Sequence, residues 1–314
     1  RIDWFISGTT SKSRLLHHEG GRRLVDLAPA ASVEGVGDDF AWGSYSFDAD
    51  LDGWPDVLTL REGNPLDPMV PPAPGPIDLF LNRHDGTFAN AGTATIGLSL
   101  RARGLVCGPL SNEGPVGCFV MPDDADPLLL LDGLRPRGNM AVVRLRGTVS
   151  AFDASGARVS VDGASLPMVF VYGGQGPFAA EHARALEVPL GSERTATVTV
   201  RWPSGIVQRG VPIAAGRANE ITEPDALTLT RRVVPADGRS TVEVTVRAAA
   251  VGASEAHIEH QGAGHWAGEA TQDAQGLHRT LVAPSQPGEA RLLVRIGETS
   301  LRVRPRVIFT PVPR

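Results

Sequence analysis

Residues 48–56 read Asp48-Ala-Asp-Leu-Asp-Gly-Trp-Pro-Asp56, with carboxylates at the first, third, fifth and ninth places and a glycine at the sixth. Alternate side chains of a tight loop can turn toward one centre, and a hard cation with roughly six to eight oxygen ligands suits such a centre. Asp48, Asp50, Asp52 and Asp56 would supply carboxylates, and the carbonyl of Trp54 would fill the seventh place. Gly53 would allow the sharp bend. Carboxylates held this close repel one another unless a cation sits among them. The expected chemistry is calcium binding; the alternative is an acidic surface turn that holds no metal.

An EF-hand shares the Asp-x-Asp-x-Asp-Gly core but needs a bidentate Glu at the twelfth place and two flanking helices. Thr59 stands at that place here, and the flanks, Phe40–Phe47 and Val57–Leu60, have strand composition. The loop is therefore expected to join strands.

Other residues offer less. Asp124 and Asp126 mark a candidate second metal loop that keeps acids but lacks the glycine. Cys107 and Cys118 lie in a Gly/Pro-rich stretch expected to be a loop; they form either a disulfide, as in an exported protein, or two reduced thiols. Their spacing is not that of a zinc site. Trp202 either stacks against a sugar or peptide or packs at the end of its strand while Pro203-Ser-Gly205 makes a turn. His257, His260 and His265 are close in sequence, but residues 257 and 260 face opposite sides of a strand. Asp123 and Asp124 likewise point apart, and Gly173, Gly174 and Gly176 read as a turn between strands. No nucleophile elbow, His-Glu-x-x-His or phosphate loop is present, so no catalytic residue is assigned.

The elements that must carry these residues are strands. Thirty-six glycines and 25 prolines favour turns and short strands over long helices. A net charge of −5 with scattered arginines and no basic stripe gives no support for a nucleic-acid partner. No run of apolar residues is long enough to span a membrane. The start, Arg1-Ile-Asp-Trp-Phe5, lacks both an initiator Met and a signal-peptide pattern, so the chain reads as a processed or truncated piece of a precursor.

The chain also repeats itself. Arg1–Ile6 aligns with Trp54–Thr59, bringing Asp3 onto Asp56, and Leu15–Gly21 aligns with Phe80–Gly86, bringing His17 onto Asn82. A third, decayed copy covers Phe119–Leu131. A unit of this size made of short strands is about one propeller blade, and fewer than three cannot close a ring. The first part is therefore expected to lean on other chains or on a missing N-terminal portion.

Phe47–Leu58 followed by Leu79–Phe88 resembles the FG-GAP/VCBS blade of integrin-type β-propellers. That resemblance implies calcium at Asp48, Asp50, Asp52 and Asp56 and, less completely, at Asp3, Asp124 and Asp126. Gly156-Ala-Arg-Val159, Gly173-Gly-Gln175, Val200–Gln208 and Asn219–Glu223 are similar, in order and spacing, to the ASPIC/UnbV domain of the cartilage acidic protein family. The family's usual His-Phe-Gly-Leu-Gly is replaced here by Leu186-Glu-Val-Pro-Leu-Gly191. Pro235–Val246, with the later Asp273-Ala-Gln-Gly276, resembles the invasin-type bacterial Ig-like domain. Strands are expected at Asn139–Gly147, Ala157–Val161, Met168–Val171, Thr195–Arg201, Thr241–Val246, Leu277–Val282, Ala290–Ile296 and Leu301–Ile308.

The expectation is an all-β chain. Residues 1–135 would be C-terminal blades of a propeller, 136–225 a small ASPIC/UnbV domain, and 226–314 an Ig-like sandwich. Its expected role is that of a secreted or cell-surface, calcium-binding, multi-domain binding or structural protein that presents a recognition surface to an extracellular protein or glycan. The competing readings are an enzyme (a hydrolase or a tailoring enzyme of secondary metabolism) with its site in missing blades, and a subunit of a surface or filament assembly.

Overall fold

The computed structural model describes residues 3–8, 12–35, 40–63, 73–111, 116–123, 128–131, 138–163, 169–172 and 184–312. Among these the chain is all-β: apart from two four-residue α-helices and one 3-10 turn, the regular elements are strands. No helix among the described residues is long and apolar enough to cross a membrane.

The chain divides into two compact units, the first made of Arg1–Arg144, Ser160–Thr197 and Pro212–Asn219, the second of Leu145–Val159, Val198–Val211 and Glu220–Arg314. The dividing line falls inside the strands Asn139–Arg146, Arg158–Val161, Thr195–Arg201, Val207–Ala214 and Ala218–Thr222.

In the first unit three antiparallel sheets follow one another along the chain. The first is Trp4–Ile6, Arg14–Gly20 and Arg23–Asp26; the second runs Phe40–Phe47, Asp56–Glu62, Pro74–Asn82, Phe88–Asn90; the third places Val116–Pro122 between Ala102–Pro109 and Leu129–Leu131. They stack face to face. Phe5 and Leu15 of the first pack on a buried cluster that includes Val57, Phe80 and Phe88 of the second. The opposite face of the second, with Leu58, Leu60, Ile77 and Leu79, packs on Leu105, Cys107, Cys118 and Val120 of the third. Each fully buried Leu, Val or Phe contributes about 1.5–3 kcal/mol, and a middle sheet buried on both faces explains why the strand Asp56–Glu62 is buried at every residue. No ring closes among the described residues.

The second unit contains a two-sheet arrangement over residues 227–310. Leu227–Leu229, Thr241–Val246, Gly276–Val282 and His265–Trp266 form one sheet, and Val233–Pro235, Arg306–Thr310, Gly288–Ile296 and Ala256–Gly262 form the other. The opening segment pairs antiparallel with Thr241–Val246 and then, a few residues on, parallel with Arg306–Thr310. A first strand that changes sheets and ends parallel to the last is the immunoglobulin order. Alternation does the work: Val242 and Val244 on one sheet and Ala290, Leu292 and Val294 on the other are buried, with exposed residues between them at Glu243 and Arg291. The final strand begins at Arg306 rather than Leu301: Pro305 has no N–H to donate to the ladder, although its carbonyl still accepts the amide of Leu292.

Candidate functional site

The acidic loop joins Phe40–Phe47 to Asp56–Glu62, which pair with Phe47 opposite Asp56. Ala49 and Leu51 turn into the hydrophobic core, so Asp48 and Asp50, alternating with them, are left to the other side. Leu51 adopts φ 57°, a conformation that bulky residues rarely take, and Gly53 follows at φ 94°. One carboxylate oxygen from each of Asp48, Asp50 and Asp56 lies within 4.8 Å of the others. Ligands on opposite sides of a calcium ion, each at about 2.4 Å, have such a span.

Backbone amides hold two of these groups. Asp48 accepts from Asp52 N at 3.0 Å and Gly53 N at 2.8 Å; Asp56 accepts from Ala49 N and from Asn82 N, both at 2.8 Å. Burial still outweighs these donors, pushing the Asp48 carboxyl up to about 6 and that of Asp56 up to about 7. Asp50 Oδ1 is buried with no hydrogen-bond partner. An unpaired buried carboxylate oxygen is costly, and a cation would relieve all three groups. The donors are all oxygen, which fits a hard divalent ion.

Asp52 stands apart from this trio. Its Oδ1 accepts the Trp54 amide at 2.9 Å, and its Oδ2 lies 2.5 Å from His84 Nε2. The Trp54 ring stacks on that imidazole at 4.9 Å. Proximity in sequence does not set direction; here a histidine on the following turn, itself at φ 65°, draws Asp52 away.

The first sheet repeats part of this device. Asp3 Oδ1 accepts His18 N at 3.2 Å, as Asp56 Oδ1 accepts Asn82 N. The equivalence is therefore His18 with Asn82, one residue from the alignment read in the sequence. Strand register decides it: Trp4 lies opposite Leu16 as Val57 lies opposite Phe80.

Charged groups missed in the sequence lie buried in the second sheet. Arg61 pairs with Asp78 at 3.2 Å, each side chain 4% exposed, and Asp78 also accepts Asn90 Nδ2 at 2.7 Å. Glu62 is fully buried against Arg103 Nε at 3.1 Å. Isolated charges at a strand end read as surface positions, and only the neighbouring sheets make them interior. Cys107 and Cys118 are directly opposite one another on adjacent strands, not in a loop, and are joined by a disulfide.

In the second unit Trp202 is 2% exposed, and its indole N–H donates to Gln208 Oε1 at 3.1 Å. A buried ring has no face to offer a ligand, so the stacking role is corrected to packing at the strand end. The turn after it is closed by Gly205 N to Trp202 O and Trp202 N to Ile206 O, both 2.9 Å. Beneath it lies a carboxylate that sequence reasoning did not single out. Glu223 is 1% exposed, and its Oε2 accepts Thr148 N, Val149 N and Ser150 N at 2.9, 2.9 and 2.7 Å. Its Oε1 accepts Ser150 Oγ at 2.9 Å and Ser204 Oγ at 2.5 Å. One buried acid thus ties the turn at 147–150 to the turn at 203–206. Its signal in the sequence was its place at the end of the Asn219–Glu223 segment that carries the resemblance to the ASPIC/UnbV domain, at a strand end.

Residues 147–228, the segment that Glu223 ties together, match the family model described as ASPIC and UnbV. No curated protein matches the chain. Among solved structures the D00-D0 domain of intimin is 12% identical, with a TM-score of 0.24, over 66% of this chain and 99% of that one. Invasin, titled a bacterial integrin-binding protein, is 14% identical with a TM-score of 0.23 over 100% of this chain and 60% of that one. Domains 5–6 of the S-layer protein SbsC are 10% identical with a TM-score of 0.21, over 69% and 94%. Likenesses this low carry no argument about this chain, and the immunoglobulin order above rests on its own strand pairing.

Asp124, Asp126, Gly173, Gly174 and Gly176 lie outside the described residues. Asp123 pairs with Arg103 at 3.1 Å. His257 bonds Glu259 and His260 bonds Gly264 O, and among the described residues His257, His260 and His265 form no metal-ligating group.

Proposed function

We propose that this is an extracytoplasmic, multi-domain binding or structural protein whose second sheet is stiffened by a calcium ion on Asp48, Asp50 and Asp56. The observation that carries the reading is the buried, donorless oxygen of Asp50 beside two carboxylates raised by burial. The ion's chemistry is charge neutralisation: it would let three acids stay ionised where the loop meets the start of its outgoing strand. The chain's residues do the positioning, through the amides of Ala49, Asp52, Gly53 and Asn82.

The division into 1–135, 136–225 and 226–314 belongs to this proposal. It is supported by the likeness of the loop to an FG-GAP/VCBS blade, by the match over 147–228 and by the immunoglobulin order over 227–310. A buried disulfide suits an oxidising compartment. In this reading the rigid sheets present loops as a recognition surface for an extracellular protein or glycan.

Melting in calcium and in chelator tests the ion. At a hundredfold excess over Kd the ion adds about 2.7 kcal/mol, so wild type melts higher in calcium, and Asp50→Asn removes the difference. Identical wild-type melting in both conditions rejects the site. Blank glycan and protein arrays, together with turnover of some substrate, reject the binder reading in favour of an enzyme.

A further inference from the structure

We infer that Arg158, Arg201 and Arg209 form a docking face for a sulfated polysaccharide. This rests on the binder reading above, whose partner class it narrows, and it does not depend on the calcium ion.

The three arginines are far apart in sequence and meet through strand pairing. Arg158–Val161, Thr195–Arg201 and Val207–Ala214 lie side by side in that order. Just past the first of these strands, Asp162 N donates to Thr197 O at 2.9 Å. Counting back from that bond along antiparallel strands sets Val159 opposite Val200 and Arg158 opposite Arg201. Burial agrees with this register: both valines are 0% exposed, and both arginines lie on the exposed side. Across the next turn Trp202 N donates to Ile206 O, which sets Arg209, also exposed, opposite Thr199 and diagonal to Arg201. Opposed side chains have Cβ atoms about 5 Å apart, and diagonal ones lie about 7–8 Å apart. A fourth exposed arginine, Arg302, is held at the turn after Arg201, its amide donating to Ser204 O at 2.6 Å.

Elsewhere the chain pairs its arginines with acids: Arg61 with Asp78, Arg103 with Glu62 and Asp123, Arg247 with Asp225, and Arg291 with Glu289. Among the described residues Arg158, Arg201, Arg209 and Arg302 enter no ion pair. Thr199 and Val207, which share the face with them, bring no acid. Directly opposed like charges are destabilising, and an external anion removes that cost. A guanidinium presents a planar fork of donors that takes two oxygens of one oxyanion. A row of such forks suits a polymer that repeats its anions. The named positions of this face hold no aromatic ring on which the bases of a single strand would stack, and an extracytoplasmic partner is in keeping with a polysaccharide.

The test is binding of the full chain to immobilised heparin, with desulfated heparin, DNA and anionic vesicles as comparators. Wild type should bind heparin, lose binding on desulfation, and bind DNA and vesicles more weakly. Arg158→Gln, Arg201→Gln and Arg209→Gln combined should weaken heparin binding by about tenfold or more. Arg231→Gln, Arg232→Gln and Arg239→Gln combined, which remove as many charges from exposed positions elsewhere, should leave it nearly unchanged. Since like charges are being separated, the cluster variant should melt no lower than wild type; a lower melting point would show that these arginines serve the fold and would overturn the proposal. Arg201→Lys alone keeps the charge but not the fork, and should bind more weakly than wild type. No heparin binding, equal losses in the two triple variants, or tighter binding to DNA or vesicles would also overturn it. A blank with heparin alongside binding to another glycan or to a protein would reject this site and leave the binder reading standing.

Discussion

At the scale of single residues, the environment of a carboxyl matters more than its type. Glu187 illustrates this outside the acidic loop. Burial pushes its carboxyl from 4.5 up to about 7, although the Tyr45 hydroxyl donates to it, 3.1 Å from each oxygen. The folded protein therefore holds the proton more tightly than the unfolded chain. The stabilisation is complete below about pH 4.5 and is lost as pH rises through about 7. Glu187→Gln removes this dependence, so the variant should gain denaturation midpoint relative to wild type at pH 8 and not at pH 4. Equal differences at the two pH values would mean that Glu187 ionises freely in the fold. Burial acts on Asp48 and Asp56 in the same direction, but there a third carboxylate, on Asp50, has a buried oxygen without a donor, and the proposed calcium ion would offset that cost.

At the scale of elements, turns are held by side chains as much as by backbone. Glu223 takes three consecutive amides and two hydroxyls, so it organises the segment at 147–150 without any regular secondary structure there. Replacing one carboxylate oxygen by an NH2 group puts a donor against donors. Glu223→Gln should therefore cost about 2–4 kcal/mol, read as a lower urea midpoint at unchanged m-value, given that leaving buried donors unsatisfied costs about 1–3 kcal/mol each. A loss below about 0.5 kcal/mol would show that water replaces the acid without penalty. The pairing of Arg61 with Asp78 works in the same way within the second sheet, where a charge is tolerated because its partner is buried with it.

For the molecule as a whole, stability is divided between two compact units, and the immunoglobulin-ordered sheets close their own core within one of them. Val242, Val244, Leu281, Leu292 and Phe309 all come from residues after 226. Residues 226–314 expressed alone should accordingly give a β-type circular dichroism spectrum and one cooperative melting transition. An unfolded fragment would show that the sandwich depends on residues 145–159 and 198–211, which fall in the same unit.

The amino-acid sequence by itself determined the strand content, the loop that gathers acids, and the alternation that builds the C-terminal sheets. These follow from local rules: turn residues punctuate strands, a period of two sorts faces, and glycine admits a sharp bend. Only the tertiary structure decided which acids meet. Asp52 goes to His84, which arrives on a separate turn, while Asp48, Asp50 and Asp56 converge because Ala49 and Leu51 are drawn into a core supplied by other strands. It likewise made Trp202 interior, put the cysteines on paired strands, and set the one-residue register that equates His18 with Asn82. Pairings of this kind join residues distant in sequence, and their energies come from neighbours that no local pattern contains.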